Sequence, residues 1–345
     1  MTDVGTIGRH QLEFYDRLFR NQWLEIKLMT ENDSWVDPAP HKNNFVTVNG
    51  VRLNYLDWGG SRPPLIFIHG YGDTPHVFDD MASAFKDDFR VLAYARRGCG
   101  QSEAKAPYDT VTLTDDLLGL MDAQGISKAN LAGWSMGGNE MTMLAGSHPD
   151  RVERMIYLDG AYDWSDFTEG WKSLPSDLFD SSDYMGSLET YLARQHVTCF
   201  PAVKDMSILE AYVRDKVIIQ PNGRLQKRES AKAQLELEKT LLADRRDYTR
   251  VHCPTLAIYV ETFVDIINGT PDRNAKLFAW DKRYFAPFRT TAIERVKREL
   301  KGVEILMVPG DHQEFIYTAR NQIVAAMRNF LGVQKPAFAG DSQLP

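Results

Sequence analysis

Short runs of consecutive apolar residues alternate with amphipathic stretches along most of the chain. The runs at 64–68, 90–94 and 129–132 have the length of strands that are buried on both faces of a sheet. The stretches between them carry apolar residues at helical spacing, most clearly at 111–123. This alternation predicts an α/β fold in which helices cover both faces of a mostly parallel, doubly wound sheet.

The same pattern continues on both sides of this region. An Asn49-Gly50 pair inside the alternating stretch 45–55 predicts a two-stranded hairpin at the edge of the sheet. Further buried strands are predicted at 154–160, 254–260 and 303–308, and the last of them is followed by a terminal helix over about 316–331.

A long helical insertion interrupts the strand pattern. From 161 to about 250 there is no clear strand, whereas helical spacing appears near 188–194, 208–217 and 230–243. Such an insertion, placed after the strand that ends at Asp159, predicts a cap over the carboxyl edge of the sheet, where open α/β sheets bind ligands. The predicted organisation is an N-terminal helical extension and linker at 1–43, a core at 44–160 and 251–332, a helical cap at 161–250 and a flexible tail at 333–345.

Composition and charge narrow the class of protein. The net charge of −7, with no cluster of Lys and Arg, argues against a nucleic-acid partner. No apolar run approaches the ~18 residues of a membrane span, and the N-terminus lacks a basic region followed by an apolar core. We therefore expect a cytoplasmic protein without a membrane partner. The amphipathic stretch 11–29 predicts a helix that either packs on the core or joins subunits of a homo-oligomer.

The cysteines do not indicate a metal or a disulfide framework. Cys99, Cys199 and Cys253 are odd in number, lie far apart and lack the paired spacing of zinc ligands. We interpret each of them as a small buried apolar residue. The sequence thus predicts neither a metal nor a cofactor.

A Gly-x-Ser-x-Gly motif occupies 133–137, directly between an apolar strand and a predicted helix. A strand turns sharply into a helix only where the residues two before and two after the turn lack side chains, and Gly133 and Gly137 meet this condition. Ser135 is then held on a strained turn with its hydroxyl exposed. The amide of Met136, at the helix N-terminus, points towards any oxyanion beside that hydroxyl. The motif indicates a nucleophilic serine.

The order of the motifs resembles that of the α/β-hydrolase superfamily over roughly 45–331, except for the cap. A His69-Gly70 loop follows the first buried strand, the Ser135 turn comes next, and His312 precedes the last helix. Within that superfamily the chain is similar to capped esterases, epoxide hydrolases and haloperoxidase-like enzymes. Epoxide hydrolases and dehalogenases carry Asp where this chain has Ser135, which sets those two chemistries aside.

The resemblance implies a serine hydrolase that works without metal or cofactor. His312 would take a proton from Ser135 and return it to the leaving group, and the amides of Tyr71 and Met136 would hold the oxyanion. His69 would orient the oxyanion loop. The implied substrate is a small or medium-sized carboxylic ester, lactone or related acyl compound, which reacts through an acyl-enzyme.

The triad acid departs from the commonest pattern of the superfamily. Most relatives carry it just after the strand equivalent to 255–260, where this chain has Phe263. Asp159 is the first choice, because some members of the superfamily supply the acid from the strand after the elbow helix. Glu261 and Asp265 are the remaining candidates. Asp311 precedes His312 and is interpreted as a turn residue.

Several further functions stay open on the sequence alone. The turn around Cys99 resembles that of proline iminopeptidases, which would need cap carboxylates such as Glu169, Asp177 or Asp180 to bind a free amine. Amide hydrolysis, hydrolysis of a carbon-carbon bond and the peroxy-acid chemistry of cofactor-free haloperoxidases are also compatible with a reactive serine and histidine. A ligand receptor on the same scaffold is the non-enzymatic possibility.

Overall fold

The central element of the fold is an eight-stranded sheet. The structure, a computed structural model, describes residues 35–60, 63–175, 186–264 and 271–333. The predicted N-terminal helix and nearly all of the predicted tail lie outside these ranges, as do Asp177, Asp180 and Asp265. The strands are β1 Lys42–Val48, β2 Val51–Gly59, β3 Pro64–Ile68, β4 Arg90–Tyr94, β5 Ala129–Trp134, β6 Val152–Leu158, β7 Val217–Ile219, β8 Leu225–Lys227, β9 Thr255–Thr262 and β10 Glu304–Asp311.

The sheet confirms the predicted mostly parallel fold. Its strand order is β1-β2-β4-β3-β5-β6-β9-β10. The β1/β2 and β2/β4 pairs are antiparallel and the other five pairs are parallel. At the tip of the β1–β2 hairpin, Asn49 and Gly50 both have positive φ, 49° and 69°. Two successive residues of positive φ match the twist of the strands, and this is why an Asn-Gly pair predicted the hairpin.

Helices cover both faces of the sheet, and each face has its own buried apolar cluster. The predicted terminal helix is in fact two helices that meet at Ala319. No helix within the described ranges has the length and apolar character needed to cross a bilayer. The helices are α1 Asp79–Ser83, α2 Thr110–Ala123, α3 Gly137–Ser147, α4 Thr168–Lys172, α5 Leu188–Thr198, α6 Met206–Lys216, α7 Ala231–Ala243, α8 Pro271–Trp280, α9 Ala286–Glu299, α10 Phe315–Thr318 and α11 Arg320–Phe330.

The segment between β6 and β9 contains helices α4 to α7. The sequence placed α5, α6 and α7 close to their observed positions, but the expectation that this segment holds no strand is wrong. Strands β7 and β8 form a small antiparallel hairpin that turns at Gly223, whose φ is 78°. Each strand has three residues, which is too short for a period-2 pattern to be recognised. The boundaries of a separate cap at 161 and 250 stay a prediction.

The winding of the sheet brings two loops together. The chain passes from β3 to β4 on one side and then returns to β5 on the other side of β3. In open α/β sheets, the loops on either side of such a reversal leave a crevice at the carboxyl ends of the strands. The loop after β3 and the turn after β5 therefore meet there.

Candidate active site

Ser135 lies on the turn between β5 and α3, in a strained backbone conformation with a φ of 52°. A side chain on Gly133 would bring its Cβ within 2.8 Å of the Gly137 carbonyl oxygen, and one on Gly137 would collide with the Ile68 carbonyl oxygen. These contacts are the physical reason for both glycines of the motif. Positive φ at a serine is uncommon, and such strain persists where the surrounding structure enforces it.

Two further glycines, outside the motif, support the same turn. A Cβ on Gly138 would collide with the Gly160 carbonyl oxygen, and a Cβ on Gly160 would lie 2.8 Å from the Gly133 carbonyl oxygen. Gly160 directly follows Asp159. The absence of side chains at Gly138 and Gly160 allows the backbone after β6 to pack directly against the serine turn. Sequence reasoning missed both positions, because only the packing of α3 and β5 against the segment at the end of β6 requires them.

The structure brings Asp159 and His312 together across 153 residues of sequence. His312 Nδ1 lies 2.5 Å from Asp159 Oδ2, and Asp159 is fully buried. The other carboxylate oxygen, Oδ1, accepts hydrogen bonds from the Tyr162 hydroxyl at 2.8 Å and from the Val260 amide at 3.2 Å. With both oxygens held, the carboxylate selects the tautomer of His312 that carries its proton on Nδ1. The Nε2 atom is then left free to accept a proton.

Asp159 itself has a strained backbone, with a φ of 44°. Of the described residues other than glycine, only Asn49, Ser135 and Asp159 have positive φ. Asn49 belongs to the hairpin turn, so the other two strained positions coincide with two of the three residues predicted to form the triad. Clustering of backbone strain at functional sites is a general tendency of proteins.

The other carboxylates considered from the sequence have different surroundings from Asp159. Glu261 is exposed at the end of β9, and Asp265 lies outside the described residues. Asp311 caps the turn after β10, where its Oδ1 accepts hydrogen bonds from the amides of Gln313 at 2.8 Å and Glu314 at 3.1 Å. This is the turn role expected for Asp311.

Aromatic rings surround His312. Phe263, at the position where the family resemblance led us to expect the acid, stacks on the imidazole with ring centroids 4.9 Å apart and planes 23° apart. Trp164 and Trp134 approach it at 5.9 Å each. Trp134 immediately precedes Ser135. These rings keep the imidazole and its carboxylate in apolar surroundings, where electrostatic interactions are stronger than in water.

The loop after β3 lies beside the serine. A Cβ on Gly70 would be 3.3 Å from the Ser135 Cβ, so glycine permits the close approach. The amides of Tyr71 and Met136, the predicted oxyanion donors, have no backbone or side-chain acceptor in the described parts of the chain. Met136 is the N-cap residue of α3, at the positive end of the helix dipole. Both amides are thus available to an anion.

Contrary to expectation, the Ser135 side chain is not exposed on this turn. Ser135 is 7% exposed. Residues of the helices between β6 and β9 contact the loop beside it. The Tyr212 hydroxyl of α6 donates a hydrogen bond to Asp73 Oδ1 at 2.7 Å, and the Tyr71 hydroxyl donates one to the Gln234 carbonyl of α7 at 3.3 Å. The insertion therefore contacts the loop that carries Tyr71, one of the predicted oxyanion donors.

A buried ion pair fixes the backbone of this loop. Arg96, at the end of β4, donates hydrogen bonds to the carbonyls of His69 at 2.8 Å and Gly70 at 3.2 Å. Its guanidinium also pairs with Glu140 of α3, and both side chains are buried. Arg96 is a positioning residue that sequence reasoning missed. A charged residue at position 140, in the first turn of an otherwise uncharged helix, was the available signal.

Arg246 is a second positioning residue that sequence reasoning missed. It is buried beneath the serine turn and donates hydrogen bonds to the Gly160 carbonyl and to Asn139 Oδ1. One guanidinium nitrogen lies 3.5 Å from the Ser135 carbonyl. Arg246 thus joins the backbone after β6 to the first turn of α3. No motif marks it, since its partners are mostly backbone atoms of distant segments.

His69 has the structural position expected for it. Its Nδ1 donates a hydrogen bond to the Gly70 carbonyl at 2.8 Å, and its Nε2 accepts one from the Arg96 amide at 3.1 Å. Burial, reinforced by the neighbouring Arg96 guanidinium, holds the pKa of His69 well below its ordinary value of 6.5. The neutral ring satisfies both bonds, whereas protonation of Nε2 would break one.

This environment predicts a loss of stability in mild acid. Below pH ~6.5 the unfolded chain protonates His69 before the folded chain does, so the free energy of unfolding falls by up to ~1.4 kcal/mol per pH unit. The loss continues until the pH reaches the folded-state pKa. Urea unfolding at pH 7.5, 6.5 and 5.5 should show a shallower decline for His69→Asn than for the wild type, whereas exposed His252→Asn should keep the full decline. Equal declines in all three proteins would contradict this role of His69.

A cavity of about 160 Å³ borders the loop after β3. Neither Ser135 nor His312 lines it. Its four charged residues are two carboxylates and two lysines, so it favours neither a cationic nor an anionic ligand. These residues are Asp73, Lys216, Lys227 and Glu229.

Cys99 borders the same cavity and is otherwise buried, as expected. Its Sγ lies 3.6 Å from Glu229 Oε1. Burial first, and then the Glu229 carboxylate, raise the pKa of this thiol well above its ordinary range. A nucleophilic thiolate is therefore disfavoured at Cys99.

Comparison with known proteins identifies the fold independently. A family model described as the alpha/beta hydrolase fold matches residues 63–195. The solved structure of E-2-(acetamidomethylene)succinate hydrolase superposes with a TM-score of 0.65 at 20% identity and covers 85% of this chain and all of that one. At this identity the superposition shows the fold alone.

Curated relatives include hydrolases of different kinds. Epoxide hydrolase 4 of Mus musculus is 29% identical over 154 residues, which are 43% of this chain and 43% of the relative. The 3-oxoadipate enol-lactonase 2 of Acinetobacter baylyi is 32% identical over 126 residues, which are 36% of this chain and 47% of the relative. The matches thus span less than half the length of these curated relatives.

Proposed function

We propose that this chain, which has the α/β-hydrolase fold, is a serine hydrolase. It cleaves a carboxylic ester, a lactone or a related acyl compound through an acyl-enzyme intermediate. The observation that carries the proposal is the 2.5 Å contact between His312 Nδ1 and the buried carboxylate of Asp159. A buried, oriented imidazole beside a strained serine turn is the arrangement that activates a hydroxyl.

In the proposed mechanism, Ser135 attacks the acyl carbon while His312 Nε2 takes its proton. Asp159 holds the imidazole in orientation and stabilises the imidazolium that forms. The amides of Tyr71 and Met136 bind the negative oxygen of the tetrahedral intermediate. His312 then gives its proton to the leaving group. A water molecule attacks the acyl-enzyme while His312 takes its proton, and His312 returns that proton to Ser135 Oγ as the carboxylic acid is released.

The rings around His312 support an apolar acyl group. Phe263 is partly buried and stacks on the imidazole, so a small apolar acyl chain could pack against it. Trp134 and Trp164 are buried and complete the apolar surroundings of the imidazole. The name of one relative, an enol-lactonase, is consistent with acyl chemistry. An epoxide hydrolase activity is not favoured. The family resemblance implies that epoxide hydrolases carry Asp where this chain has Ser135.

A peptidase function has less support. A free amine would need an unpaired carboxylate near Ser135, but Glu169 is exposed and Glu229 shares its cavity with two lysines. Carbon-carbon bond hydrolysis and peroxy-acid chemistry use the same serine and histidine. The labelling and hydrolysis experiments below distinguish these two reactions from ester hydrolysis.

The deciding test is labelling of the purified chain by a fluorophosphonate probe, followed by mass spectrometric mapping. We expect one label per chain, on Ser135, because the probe reacts with serines that a neighbouring base activates. A panel of p-nitrophenyl esters of increasing acyl length should then be hydrolysed, with short apolar chains preferred. Exposed Ser147 serves as the internal control and should stay unlabelled.

The two readouts separate the competing functions. Absence of both labelling and hydrolysis would overturn the serine-hydrolase proposal and favour a ligand receptor. Labelling without hydrolysis of any ester or amide would instead favour carbon-carbon bond hydrolysis or peroxy-acid chemistry.

A further inference from the structure

Two histidines and two aspartates meet away from the candidate active site. Asp37 and His41 belong to the segment before β1, His76 lies in the turn after β3, and Asp79 begins α1. One nitrogen or oxygen from each side chain lies within 4.8 Å of the corresponding atoms of the others. The packing of the segment before β1 against the turn after β3 creates this cluster.

The spacing of the atoms matches that of ligands around one cation. Nε2 of His41 lies 3.4 Å from Asp37 Oδ2 and 3.3 Å from Asp79 Oδ1, and Nδ1 of His76 lies 3.8 Å from Asp37 Oδ2. Four ligands about 2.0–2.1 Å from a tetrahedral Zn²⁺ are separated by about 3.3 Å. Nδ1 of His76 lies 2.8 Å from Asp79 Oδ2 and donates a hydrogen bond to it. Binding of the ion would release the proton of that bond to solvent, so that Nδ1 binds the metal together with Asp79 Oδ1, the oxygen nearer to His41.

Several of these atoms make no hydrogen bond although they are buried. The side chains of His41 and Asp79 are each 1% exposed. Both ring nitrogens of His41 and Oδ1 of Asp79 are buried without a hydrogen bond to any residue that the structure describes. Buried polar atoms are almost always satisfied, and each exception requires an explanation. A cation between the four side chains would bond to one nitrogen of His41 and to Oδ1 of Asp79.

We propose that Asp37, His41, His76 and Asp79 form a structural site for a divalent transition-metal ion, with Zn²⁺ as the best fit. Two carboxylates neutralise the charge of the ion, and two imidazoles supply the nitrogen ligands that Zn²⁺ favours. Four protein ligands leave no open position for a substrate, which distinguishes a structural site from a catalytic one.

The surroundings of the ligands suit this role. The Ala39 amide donates a hydrogen bond to Asp37 Oδ1 at 2.9 Å, which turns Oδ2 towards the cluster. The ring of Trp58 packs against His41 with centroids 4.9 Å apart. The Asp37 side chain is 23% exposed and provides the route by which an ion enters.

The site would join two segments that are distant in sequence. Asp37 and His41 lie just before the edge strand β1. His76 lies five residues after Tyr71, which belongs to the loop after β3. The ion would therefore fasten the N-terminal segment to the region beside the candidate oxyanion hole. Its contribution is to folding stability, so loss of the ion should lower the melting temperature.

Metal binding to the untagged full-length chain tests the proposal directly. After treatment with a chelator and its removal, the chain is titrated with Zn²⁺ or Co²⁺ and examined by native mass spectrometry. We expect one ion per chain and intense visible absorption typical of tetrahedral Co²⁺. Zn²⁺ at ~100 times its Kd should raise the melting temperature by roughly 5 °C.

Variants assign the ion to these four residues. His41→Asn and Asp37→Asn should each abolish stoichiometric binding and the Zn²⁺-dependent rise in melting temperature. Asp37 is the partly exposed ligand, so its variant keeps the test valid if His41→Asn does not fold. His196→Asn, at a buried histidine elsewhere, should bind like the wild type. Absence of stoichiometric binding by the wild-type chain would overturn the proposal and indicate that a proton, not a metal ion, occupies the cluster. Unchanged binding by folded Asp37→Asn would also overturn it.

Discussion

Replacing Ser135 by Ala is expected to lower kcat for the best p-nitrophenyl ester by about 10⁴-fold or more. The substitution removes the hydroxyl that forms the acyl-enzyme in the proposed mechanism, so the remaining rate would depend on the proposed oxyanion donors and on substrate binding. KM should change little, because the hydroxyl contributes mainly to the transition state. Initial rates measured over a range of ester concentrations separate the two parameters.

The variant should fold normally, because alanine fills the same space on the turn and leaves Gly133 and Gly137 in place. Circular dichroism and thermal melting check this. Ser147→Ala, at the exposed end of α3, is the matched control and should retain full activity. Hydrolysis by Ser135→Ala within a few-fold of the wild type would contradict the assigned nucleophile.

Asp159→Asn should lower kcat by about 10³- to 10⁴-fold. The substitution keeps the size of the side chain but removes the charge that stabilises the imidazolium. An amide at this position can also donate a hydrogen bond to Nδ1, which selects the tautomer of His312 whose Nε2 carries a proton. That tautomer cannot take a proton from Ser135. Stopped-flow or steady-state kinetics near neutral pH measure the loss.

Glu261→Gln is the control for the choice of acid. Glu261 is exposed at the end of β9, and we expect its variant to keep wild-type kcat within a factor of about 2. A larger loss in Glu261→Gln than in Asp159→Asn would show that the acid has been assigned wrongly. Fluorophosphonate labelling of both variants gives an independent readout, because its rate follows activation of the serine.

Elements with strong local patterns could be predicted from the sequence alone. The Asn49-Gly50 turn, the buried strand Pro64–Ile68 and the helix Thr110–Ala123 have the positions and types expected for them. In each of these, the local preference of the backbone and the burial of apolar residues favour the same structure. The hairpin of β7 and β8 could not be predicted, because six residues are too few to display a period.

The candidate site was predictable to a similar extent. Ser135 and its flanking glycines form a local motif, so the sequence contains the reason for the turn. The contact between His312 and Asp159 depends instead on strand order, since β10, β9 and β6 must lie side by side. The sequence left three carboxylates as candidates, and among the described residues the hydrogen-bonded partner of His312 is Asp159.

By itself, the sequence determined the alternation of strands and helices, the strained serine turn and the chemical types available at the site. These features depend on residues that are neighbours in the chain, and short-range sterics and burial decide them. Only the tertiary structure decided which carboxylate meets the imidazole, that Arg96 and Arg246 hold the loops, and that Asp37, His41, His76 and Asp79 converge. Those contacts join residues far apart in sequence, and the packing of the whole sheet determines their distances.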